Sequence, residues 1–109
     1  MSEIKSLIEK IRKFNKDRDW EQFHNPKDLA IALNIESSEL LELFLWKRDT
    51  EVNTDRVKEE LADIFTFALN IADKFNLDVV EIIEDKMKKN AEKYPIDKSK
   101  GTSKKYSDL

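Results

Sequence analysis

An all-α fold, an antiparallel bundle of four helices, follows from where this chain lacks turn residues and how it spaces its apolar ones. The only glycine is Gly101 and the two prolines are Pro26 and Pro95, so residues 27–94 contain neither. Sandwiches, barrels and hairpins need frequent turns at positive or fixed φ, and βαβ units need glycine-rich connections. Apolar residues over the same stretch recur every three and four positions, the period of one helix face. At 109 residues the chain is expected to form a single domain, 1–109, burying roughly two-thirds of its unfolded surface.

Helix one is expected from about Glu3 to Lys16, with Ile4, Leu7, Ile8, Ile11 and Phe14 on one face. An aromatic-rich connection, Asp19 to His24, leads to Asn25-Pro26, an N-cap followed by a proline at the first helical position. Helix two is expected from Pro26 to about Lys47, its buried side marked by Leu29, Ala32, Leu33, Leu40, Leu43, Phe44 and Trp46. Residues 48–54, RDTEVNT, make the reversal, with Asn53 or Thr54 capping helix three. Helix three spans about Asp55 to Phe75 and carries a wide apolar face from Val57 to Phe75. Asp78 with Glu81 reads as a capping box for helix four, which runs from Val79 to about Tyr94 and stops at Pro95. The polar, basic tail 96–109 is expected to be disordered by itself.

Composition narrows the function classes. Apolar and charged residues each make up 39% of the chain, which describes a thin core under a heavily solvated surface. The longest run free of Asp, Glu, Lys and Arg is residues 64–72, short of the roughly 20 that span a bilayer. The N-terminal segment mixes both charge signs and shows no signal-peptide core, so a cytoplasmic location is expected. A net charge of −3 gives no general nucleic-acid footprint. Without cysteine, and with His24 as the one histidine, any metal site must use oxygen ligands. The wide apolar faces of helices two and three point to burial against another copy, a homo-oligomer.

Carboxylates interrupt those faces. Where the stripe of helix two should continue stand Glu36 and Glu39, and on helix three it passes over Glu60, with Asp63 three residues later. Residues three apart share a face, and antiparallel packing brings the two pairs to one level. Four clustered carboxylates in a partly dry site oppose folding unless a divalent cation joins them; all-oxygen ligation favours Mg²⁺ or Mn²⁺ over Ca²⁺. A solvated acidic face is the plain alternative, because Glu39 with Glu42 and Glu81 with Glu84 repeat the spacing in a chain holding 23 Asp and Glu. A di-iron site is excluded, since it needs two inward Glu-x-x-His pairs.

These residues resemble the MazG-like all-α nucleoside triphosphate pyrophosphohydrolases. The family signature, Glu-x-x-Glu followed by Glu-x-x-Asp, stands here as Glu36-Ser37-Ser38-Glu39 and Glu60-Leu61-Ala62-Asp63. The dCTP pyrophosphatase branch is matched further by Trp20 to Pro26, Glu39 to Phe44 with Trp46-Lys47, Lys86-Met87, Asn90, Tyr94-Pro95 and Lys105 to Leu109. The resemblance implies Mg²⁺-dependent hydrolysis of a nucleoside triphosphate, dCTP or a modified analogue, to the monophosphate and pyrophosphate. It implies Glu36, Glu39, Glu60 and Asp63 as catalytic metal ligands, and Trp20 and Trp46 as walls of a base pocket with His24 beside them. It implies Lys86, Asn90 and Tyr94 as polar ligands of the nucleotide, and assembly as a dimer or a dimer of dimers. Read alone, either tryptophan also suits a core, and the three helix-four residues suit an exposed polar stripe. Ile35, Ser37 and Ser38 stand where close relatives often have glycines. The rival readings are the same chemistry with dUTP or broad dNTP preference, and a non-catalytic helical interaction module.

Overall fold

The computed structural model describes residues 2–109, and every regular element among them is helical. The chain divides into two compact units, one ending at Leu77 and one from Asp78 to Leu109.

The first unit holds three long helices, α1 (Glu3–Asp17), α2 (Pro26–Glu42) and α3 (Thr54–Lys74). Each starts where a polar side chain accepts from the exposed first-turn amides: Ser2 from Lys5 N, Asn25 from Asp28 N, and Asn53 from Asp55 N and Arg56 N. α2 and α3 make the most extensive helix contact, and α1 packs on α3. The partners Asn15–Asn70 and Arg12–Asp73 give α1 and α3 an antiparallel register. Asn15 and Asn70 are both buried, joined by one 3.1 Å hydrogen bond from Asn15 Nδ2 to Asn70 Oδ1. The Asn15 carbonyl also accepts from Arg18 N and Trp20 N, ending α1 and fixing the turn toward Trp20.

α2 stops at Glu42, five residues before the end expected from its apolar pattern. The amides of Leu43, Phe44 and Leu45 donate three residues back rather than four, and Trp46 then adopts φ 60°. A left-handed residue cannot continue the helix, so Trp46 leaves the buried side and is 94% exposed. Of the stripe expected for this helix, Leu29 and Leu43 are buried and Phe44 is exposed. The Ser37 and Ser38 hydroxyls are turned back on their own helix, donating to the Leu33 and Asn34 carbonyls.

In the second unit Asp78 accepts from Glu81 N and opens α4 (Val79–Lys93). The tail is ordered, contrary to expectation, as α5 (Ile96–Ser99) and a 3₁₀ turn at Tyr106–Asp108. Pro95 starts α5, the Ser99 hydroxyl bonds the Tyr94 and Pro95 carbonyls, and the Tyr106 ring meets Tyr94 edge-on at 6.0 Å. Those local contacts hold a segment whose composition alone gives no reason to fold.

Candidate active site

The site lies between α2 and α3. Glu36 meets Glu60 and Asp63, while Leu43 and Lys47 line a pocket with Arg56, so the two helices run antiparallel. One carboxylate oxygen from each of Glu36, Glu60 and Asp63 falls within 4.8 Å of the others. Glu36 and Glu60 are half-buried and Asp63 is exposed. Glu39 differs from its expected inward position and is exposed. Residues three apart on a helix sit about 60° apart around its axis, so Glu36 and Glu39 straddle the edge of the buried face.

Two oxygens give the cluster its character. Glu36 Oε2 and Glu60 Oε2 are buried with no hydrogen-bond partner, a state that costs on the order of 1–3 kcal/mol per polar group and more for a charge. Burial, then contact with the Glu39 and Glu60 carboxyls, then the charges of Glu39 and Asp63, push the Glu36 carboxyl from 4.5 up to about 7. Glu60 is raised too, first by burial and then by Glu39 and Asp63, while its contact with Glu36 acts in the opposite direction. The chain has therefore gathered acids that resist ionisation where they stand, and a cation supplies the missing partner for both orphaned oxygens. The donors are all hard carboxylate oxygens, which fit a divalent ion of the Mg²⁺ or Mn²⁺ type.

Aromatic residues gather at the α1–α2 connection. Trp20 meets Phe14 at 5.7 Å and His24 at 6.4 Å, both edge-on, and the Arg18 guanidinium stacks 3.6 Å above the Phe14 ring. Trp20 keeps 43% of its surface exposed, with the Arg18 guanidinium 5.9 Å from its ring centre. Trp46 instead lines an apolar pocket with Leu41, Phe44 and Leu45, and among the described residues no ring contact joins it to Trp20 or His24. In the second unit Lys86 and Asn90 are exposed along α4, and Tyr94 is exposed just past its end.

Sequence reasoning missed Arg56 and gave Glu42 no role, yet both line the pocket beside Glu39 and Glu60. The signal for Arg56 was available: it stands four residues before Glu60, one turn away on the same helix face.

Comparison with known proteins gives the family and the fold. The MazG-like family profile matches residues 31–109. The chain is 38% identical over 104 residues to dCTP pyrophosphatase 1 of Mus musculus, covering 88% of this chain and 61% of that protein. The Homo sapiens protein of the same name is 36% identical with the same coverages. The chain thus spans about three-fifths of the length of these curated relatives, 61% in both cases. The crystal structure of a pyrophosphatase from Archaeoglobus fulgidus superposes with a TM-score of 0.83 at 35% identity, covering 87% of this chain and 94% of that one.

Proposed function

The chain belongs to the MazG-like family, and from that premise we propose that it is a nucleoside triphosphate pyrophosphohydrolase acting in the cytoplasm on dCTP or modified dCTP. The names of the relatives support the reaction class and the base preference. The observation that carries the reading is the pair of buried, unpartnered oxygens of Glu36 and Glu60 beside Asp63. In the proposed reaction a water attacks the α-phosphorus, the bond from that phosphorus to the oxygen bridging the β-phosphate breaks, and pyrophosphate leaves with the electron pair. Glu36, Glu60 and Asp63, with Glu39 at the edge, would hold Mg²⁺, which when bound neutralises phosphate charge and acidifies water.

Glu39 and Asp63 are the exposed members of the set, open to a water and able to accept its proton. Glu36 and Glu60, half-buried, fix the depth at which a phosphate can approach. Trp20, partly exposed and with His24 beside it, suits a stacked base; stacking tolerates every base, so hydrogen bonds must supply the cytosine preference. Trp46 as a second wall, and Lys86, Asn90 and Tyr94 as polar ligands, are assigned on the family pattern. Assembly as a dimer or dimer of dimers belongs to the same reading, supported by the exposed Leu41, Leu45 and Trp46.

A panel of dCTP, modified dCTP, dUTP and the other nucleoside triphosphates, scored by pyrophosphate release with and without Mg²⁺, tests the proposal. We expect Mg²⁺-dependent release, greatest from dCTP or its analogues, and a loss of more than about a hundredfold in Glu36→Gln and Glu60→Gln. Equal rates on all substrates would replace the base preference. No release from any, with no thermal stabilisation by Mg²⁺ plus a non-hydrolysable nucleotide, would leave a helical interaction module.

A further inference from the structure

An open pocket of about 480 Å³ adjoins the carboxylates, lined by Glu39, Glu42, Leu43, Lys47, Arg56 and Glu60. Its two cations differ from their neighbours in the chain. Arg48 lies 3.8 Å from Glu51 and Lys58 lies 3.8 Å from Asp55. Among the described residues, the Lys47 and Arg56 side chains make no hydrogen bond or ion pair, although three glutamates share their pocket. Lys47 lies between the end of α2 and the chain reversal, and Arg56 stands on the first turn of α3, so they reach the pocket from different segments. Glu60 is common to the pocket and to the carboxylate cluster.

Building on the proposed hydrolase, we infer that Arg56 and Lys47 hold the β- and γ-phosphates of the substrate, the part that departs as pyrophosphate. With the α-phosphate at Glu36, Glu60 and Asp63, the remaining two phosphates need cationic donors next to Glu60, and these are the two unengaged ones there. A guanidinium meets two phosphate oxygens at once and an ammonium meets one as a point charge. As the bond between the α-phosphorus and the bridging oxygen breaks, negative charge grows on the departing pyrophosphate, so the same contacts strengthen in the transition state. The glutamates set a condition: an anion enters such a pocket only together with a divalent cation. The two residues thereby select triphosphates over mono- and diphosphates.

Calorimetric titration with inorganic pyrophosphate, in the presence and absence of Mg²⁺, tests this apart from turnover. In wild type we expect binding only with Mg²⁺. Arg56→Gln and Lys47→Gln should each weaken it about tenfold or more, with a matching rise in KM for the triphosphate, as loss of a charge-assisted hydrogen bond predicts. Arg56→Lys should restore part of the affinity, and Lys58→Gln, which removes the same charge two residues on and on the far side of α3, should change nothing. Wild type that hydrolyses nucleotides while both glutamine variants bind pyrophosphate undiminished would overturn the phosphate role and leave the hydrolase standing. Glutamine variants that only melt lower, with binding intact, would show the cations to be offsets for the glutamates, which also overturns it. Wild type that neither hydrolyses nor binds would remove both readings together.

Discussion

Glu36 Oε2 and Glu60 Oε2 are orphaned in a fold that otherwise satisfies its helix starts with side-chain caps. Between pH 4.5 and about 7, folded Glu36 keeps a proton that the unfolded chain has released. The unfolded state then binds fewer protons, so stability falls as pH rises through that window. In chelator the melting temperature is expected to drop from pH 4.5 to about 7, and Glu36→Gln should flatten the decline. Mg²⁺ competes only for the ionised form, so the melting shift it produces should grow over the same range. A melting temperature in chelator that is level across the window would contradict the protonation assigned to Glu36. Much of this cluster was readable in advance, because Glu36 and Glu60 break apolar stripes that otherwise continue. What pattern alone could not resolve was that Glu39 falls just outside the buried face, since a rotation of some 60° decides between interior and solvent.

In the first unit α1 is held in register on α3 by few but specific contacts. The buried Asn15–Asn70 pair joins α1 to α3, and Arg12 grips Asp73 through Nε at 2.8 Å and Nη2 at 2.5 Å. Asn70→Ala leaves the Asn15 amide buried and unpaired, and urea melts should show a loss of about 1–3 kcal/mol. Removing both amides should recover part of it, because the penalty belongs to the survivor. Additive losses in the double mutant would show that the two side chains act independently. Helix starts were foreseeable from Asn25, Asn53 and Asp78, each a residue whose short oxygen reaches a first-turn amide. The end of α2 was not, because Leu43-Phe44-Leu45-Trp46 contains no breaker and reads as continued helix. The order in the tail was equally hidden, resting on Tyr94 against Tyr106 and on Ser99 bonding back to Tyr94 and Pro95.

Over the whole chain the interior is meagre. Leu29, Leu43 and Ala72 are the buried apolar residues among those described, while Leu41 remains 71% exposed. Surface of that kind is usually covered by association. Sedimentation equilibrium is expected to find a dimer or larger species, and Leu41→Lys with Leu45→Lys should shift it toward monomer. A melting temperature independent of protein concentration would argue against coupled assembly and folding. The left-handed backbone at Trp46, φ 60°, sets durability against purpose at a single position. Glycine there would relax the chain and stabilise the fold by about 0.5–1 kcal/mol after its own entropic cost, which a higher melting point would register. It would also take away the broad indole that the proposed enzyme presents to its base, so selection for longevity and selection for catalysis would favour different letters at that site.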